Sequence, residues 1–203
     1  MKQIETHTKT DKDHPIVKYL STLKAMMSDN HKNEITSDWY YNSMYDLLLD
    51  AGMEMKNEPT IASVGAGIRL LESLHFEPEK KQCYYNSQLA TISSRCGDEF
   101  DYCEGFAMNE TLQIPIQHGW LRHKKTKIVV DLTWCREEIK TVPWPETKYF
   151  GIVIHSQDVK QGMLSGSSNC HIDGYWNGWT ILKEKFLNNN TYNPQIRKPN
   201  ARV

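Results

Sequence analysis

The spacing of apolar residues changes character near residue 97, and that change limits the fold more than any other feature of the chain. Before it, apolar side chains recur every three or four positions, as in Val17, Leu20, Leu23 and Met27, or Ile61, Val64, Ile68, Leu71 and Leu74. That is the period of an amphipathic helix. After it come short runs of aromatic and β-branched residues over 100–107, 114–123, 127–134 and 149–154, which predict strands. The polar turn Lys124-Lys125-Thr126 joins two of these runs into a predicted hairpin. Helices first and antiparallel strands second predict an α+β fold, N-terminal helices packed on an antiparallel β-sheet.

Boundary residues divide the chain further. Pro15 suits a helix start, and Thr36 or Ser37 is a candidate cap for a second helix carrying Trp39, Tyr40, Leu47 and Leu48 and ending near Gly52. A third helix follows Pro59, weakened by Gly65 and Gly67, and a fourth spans 83–95. Residues 165–168 read as a loop and 178–187 as a closing helix, with Tyr175, Trp176 and Trp179 as core anchors. The organisation expected is a flexible segment over 1–14, one domain over 15–190 (helical 15–95, sheet 100–155) and a tail over 191–203.

Composition narrows the function classes. With 39% apolar and 24% charged residues the chain reads as globular, and a net charge of −1 gives no electrostatic drive toward nucleic acid. No apolar run approaches the roughly 20 residues a membrane helix needs. The N-terminus has no hydrophobic signal core, so a cytoplasmic location is expected, the host cytoplasm if the gene is viral. Five cysteines without a CxxC pair predict neither a disulfide framework nor a structural zinc, and no cofactor is expected. His155, His171 and Asp173 lack a regular ligand spacing, so no metal is assigned to them.

Three residues between 83 and 131 carry chemistry. Cys83 falls at a predicted helix start, where unpaired amides and the helix dipole favour a thiolate. His118 lies on a strand whose alternation sets Ile116, His118 and Trp120 on one face. Asp131 follows three apolar residues, where a carboxylate is costly unless paired. Counting outward from Lys125, His118 stands seven residues before and Asp131 six after, so the hairpin sets them nearly opposite each other. A thiol, an imidazole and a carboxylate are the parts of a nucleophilic triad.

These motifs resemble the transglutaminase-like core of the papain-like cysteine enzyme superfamily. Tyr102-Cys-Glu-Gly105 stands where that core has Tyr-x-x-Gly, His118-Gly-Trp120 where it has His-Ala-Trp, and Asp131-Leu-Thr133 where it has Asp-Pro-Thr. The likeness covers about a quarter of the chain. Lys81 and Gln82 precede the cysteine where Gly and Trp or another small residue are common, Gly119 replaces alanine and Leu132 replaces proline. The resemblance implies a papain-like/transglutaminase-like fold and a thiol-dependent acyl transfer. In it Cys83 attacks a carbonyl, His118 moves the proton and Asp131 orients the imidazole. The substrate would be a protein, a peptide or a small amide, and water is the default acceptor, with transamidation the other outcome. The Cys83 amide is the expected oxyanion donor, with Gln82 or Asn86 helping; Glu104 and Trp120 are further candidates for tuning or positioning. A reading from another class is a non-catalytic ligand- or protein-binding module on the same fold, with the triad vestigial. Oligomeric state is left open.

Overall fold

Pro15 opens the first helix, α1 (Pro15–Met27), in a computed structural model that describes residues 11–27, 39–166, 170–173 and 180–183. Ile16 and Leu20 on one side of α1 are fully buried. The second helix, α2 (Met44–Ala51), is shorter than the sequence suggests. Ser43 caps it, its hydroxyl accepting from the Asp46 amide at 3.2 Å. Trp39 and Tyr40 precede the helix instead of belonging to it, and the candidate caps Thr36 and Ser37 lie outside the described residues. After Gly52 the chain forms a strand with no sequence signal, β1 (Met53–Met55). Thr60 and Ser63 then form a reciprocal capping box for α3 (Ile61–Ser73). Gly65 and Gly67 sit inside α3, and a Cβ on Gly67 would fall 2.4 Å from Thr141 Oγ1.

The fourth helix, α4, runs from Cys83 to Ser93. A 3-10 turn, Gly97–Glu99, hands the chain to β2 (Phe100–Met108). Next comes β3 (Ile116–His123), which starts later than the pattern suggests because Pro115 has no amide to pair. The following strand, β4, is only Val129–Val130 instead of the whole 127–134 run. The ladder ends there because the Asp131 amide turns away to the Thr141 carbonyl (3.3 Å). β5 (Lys148–Ile154) leads into a helix the sequence did not signal, α5 (Ser156–Leu164). Its apolar content is low; Val159 is the side chain it buries fully, and His155 caps it through Nδ1. The described part of the closing helix is α6 (Thr180–Lys183). Residues 1–10 of the expected 1–14 segment, the 191–203 tail, residues 167–168 of the 165–168 loop, and Tyr175, Trp176 and Trp179 lie outside the described residues.

All neighbouring strands are antiparallel in the order β1-β5-β2-β3-β4, so the fold is α+β. The sheet buries both faces. Tyr102, Phe106, Leu121, Phe150 and Ile152 face the helices with Leu20, Leu47, Leu70 and Ala90. Cys103, Ala107, Trp120, Val129, Tyr149 and Val153 form a second cluster with Met55 on the other side. Lys56 bridges to Ile128, and the Val129 amide donates to the Lys56 carbonyl at 2.9 Å. The two outer strands thus meet, and the sheet curls around the second cluster. No helix among the described residues is long and apolar enough to cross a membrane.

Candidate active site

Two bare positions let the elements approach. Ser87 Oγ on α4 donates to the Gly119 carbonyl on β3 at 3.3 Å. A Cβ on Gly119 would lie 2.8 Å from Tyr84 Cδ1 and 3.3 Å from Tyr84 Cα, so glycine lets the first turn of α4 rest on β3. Thr141, seated against Gly67, in turn fixes the point where Asp131 leaves the sheet. Just before α4, Lys81 takes a left-handed φ of 66°, a conformation glycine adopts without steric cost.

The hairpin register differs from the sequence estimate. Leu121 pairs with Val130 and Arg122 with Val129, so the same register continued sets Asp131 opposite Trp120, not His118. His118 and Trp120 share a face, which leaves Asp131 a diagonal neighbour of His118. The diagonal is bridged: His118 Nε2 lies 2.7 Å from Asp131 Oδ2, with both side chains buried. The carboxylate takes three further donors. The amides of Thr133 and Trp134 reach Oδ1 at 2.8 Å each, and the Tyr149 hydroxyl reaches Oδ2 at 2.8 Å.

Cys83, partly exposed at the start of α4, completes the group. Burial pulls the His118 pKa down. The Asp131 charge and hydrogen bond, together with the adjacent Cys83 thiol, outweigh it and push the value up to about 10. Burial pushes Asp131 up, but the His118 charge and the donors around the carboxylate hold it below its ordinary value. The pair therefore sits as imidazolium and carboxylate at neutral pH. Since Nε2 is committed to Asp131, Nδ1 is the nitrogen left for the thiol.

Three of the four supporting residues, Asn86, Trp120 and Glu104, are engaged with other partners. Asn86 is fully buried and already occupied: Nδ2 donates to the Glu79 carbonyl (2.7 Å) and to Thr133 Oγ1 (2.9 Å), while Oδ1 accepts from the Glu79 amide (3.0 Å). It is a tie between α4 and the Asp131 loop, not an oxyanion donor. Trp120 is also fully buried, with Nε1 directed at Met55 Sδ, and serves the core. Glu104 lies on the other face of the sheet. There it accepts from the Tyr102 hydroxyl (2.7 Å), the amides of His171 and Ile172, and Cys170 Sγ, with His171 Nδ1 at 2.8 Å. That network clasps the 170–172 segment to β2. Gln82 remains exposed beside Cys83, preceding the helix without capping it. Two neighbours were not foreseen: Trp134 stacks on His118, and Tyr149 holds Asp131. Trp134 was at least signalled by following Asp131-Leu-Thr133 directly. Nothing local marks Tyr149, which arrives from β5 across the curled sheet.

No cluster of three or more histidine, cysteine or acidic side chains among the described residues is arranged to hold a metal. No protein-family model, curated protein or solved structure matches the chain.

Proposed function

We propose that this protein is a thiol-dependent acyl-transfer enzyme of papain-like/transglutaminase-like type, most simply a hydrolase of amide bonds. The observation that carries the reading is the buried His118–Asp131 pair at 2.7 Å with the Cys83 thiol, at a helix N-terminus, beside the same imidazole. A carboxylate in that position fixes the ring and stabilises the imidazolium.

The Cys83 thiolate adds to the carbonyl carbon of a peptide or small amide. The oxyanion that forms is met by the Cys83 backbone N–H, one of the first amides of α4 and so without an intrahelical acceptor. Gln82, exposed next to Cys83 in the chain, is the candidate side chain to assist. The imidazolium of His118 gives its proton to the departing nitrogen as the C–N bond breaks, leaving a thioester and a neutral imidazole. That imidazole then takes a proton from water, the resulting oxygen nucleophile attacks the thioester, and as the C–S bond breaks the acid leaves and the thiolate–imidazolium pair is restored. An amine in place of water gives transamidation by the same steps.

Alkylation with iodoacetamide at sub-stoichiometric dose, mapped by mass spectrometry, tests this. Selective modification of Cys83 that is lost in His118→Ala supports the enzyme. A Cys83 no more reactive than the other four cysteines would transfer the case to a non-catalytic binding module.

A further inference from the structure

The Tyr149 hydroxyl and the His118 imidazole converge on one atom, Asp131 Oδ2, at 2.8 and 2.7 Å. We propose that Tyr149 is a positioning residue: by sharing Oδ2 with the imidazole it holds the carboxylate in one orientation and weakens its grip on the His118 proton. The proposal rests on the acyl-transfer reading above for its catalytic meaning.

An ionised carboxylate offers about four acceptor sites. Asp131 fills them with the amides of Thr133 and Trp134 on Oδ1 and with Tyr149 and His118 on Oδ2. Four donors leave the group no freedom to turn, and each one withdraws charge from the others' bonds. The Tyr149 ring is fully buried and already serves the core, 5.1 Å from the Trp120 ring. Phenylalanine would fill that space equally well. The hydroxyl is the part packing does not need, and burying it is costly unless it donates. Burial and the Asp131 charge both oppose its ionisation, so it stays a donor throughout the neutral range.

A hydroxyl that only fills space and one that tunes the pair predict different titrations. In the Tyr149→Phe chain the carboxylate has one donor fewer and holds the imidazolium more tightly. The His118 titration midpoint, read from ring nitrogen shifts in histidine-labelled protein, should then rise by about half a unit or more. In an Asp131→Asn background the same substitution should leave the midpoint where it was. Superimposable titrations of wild type and Tyr149→Phe, or an equal shift in the Asp131→Asn background, would overturn the proposal. If the phenylalanine chain does not fold, the Tyr149 Cζ resonance decides. It should move on Asp131→Asn alone, and a stationary resonance counts against the shared oxygen. Cys83 labelling in the wild-type chain is a separate readout: its failure removes the enzyme reading and leaves the His118 titration intact.

Discussion

The Trp134 indole lies over the His118 imidazole, ring centroids 4.7 Å apart and planes inclined by 28°. Trp134 is half-buried, so it covers one side of the imidazole from water while Trp120 stacks from further off at 6.3 Å. Such a ring pair is worth about 0.5–1.5 kcal/mol, or up to about tenfold in an equilibrium. Trp134→Ala should therefore lower the Cys83 alkylation rate by up to about tenfold, whereas Trp134→Phe should keep most of it. Equal rates in the two variants would remove Trp134 from any role at the imidazole.

Removing the charge that orients His118 should cost more than removing its cover. Asp131→Asn keeps the shape of the side chain but takes away the negative charge, and Cys83 reactivity should fall by about a hundredfold or more. Cys83→Ala should abolish reactivity altogether and barely change the denaturant midpoint, because a partly exposed thiol leaves little cavity. A large loss of stability in Cys83→Ala would show that the thiol serves packing.

Gly119 stands where the proposed family would carry the alanine of His-Ala-Trp. The reason lies in Tyr84, whose ring and Cα occupy the space of an alanine methyl. Gly119→Ala should destabilise the protein by about 1–3 kcal/mol through overpacking and should also slow Cys83 alkylation, since the first turn of α4 must retreat. Adding Tyr84→Leu should return part of both losses. A Gly119→Ala chain with wild-type urea midpoint and wild-type thiol reactivity would mean that α4 does not depend on this contact.

Stability should hold a plateau at mildly acid pH and fall on both sides. His118 is raised from 6.5 to about 10, so its contribution is complete below about pH 6.5 and is lost as pH climbs through about 10. His171, whose value burial lowers but Glu104 raises more, adds in the same direction. Asp131 and Glu104 are depressed, so their contributions are present above their ordinary values of 3.8 and 4.5 and vanish as pH falls through the lowered ones. Urea unfolding across the pH range measures this. The alkaline decline should shrink in Asp131→Asn, and an unchanged decline would assign it to other groups.

The parts of the site legible in the sequence are those set by local pattern. Cys83 at a helix start and His118 on a strand follow from periodicity, and Asp131 stood out as a carboxylate after an apolar run. The register did not follow, because the loop closes with the His123 amide on the Ile128 carbonyl and the count from Lys125 misplaces the partner by one position. Asn86 and Glu104 look like site residues in sequence because they are polar beside reactive neighbours. Their true partners, Glu79 and Thr133 for one and His171 and Ile172 for the other, are fixed by tertiary packing that a linear reading does not contain. β1 and α5 escaped for a simpler reason: three residues are too few for a period, and α5 buries little.

The meeting of Lys56 with Ile128 bears on how the edges of this sheet are covered. A strand edge presents unpaired amides and carbonyls to any passing chain, and proteins blunt edges to prevent edge-to-edge association. Here β1 and β4 are both very short, and each turns part of its outward side to the other, the Val129 amide spending itself on the Lys56 carbonyl. A tight turn that splayed this contact, or a substitution such as Ile128→Pro that unseats it, would open both borders of the sheet at once. Self-association at high concentration would then be the first symptom, ahead of any change at the thiol.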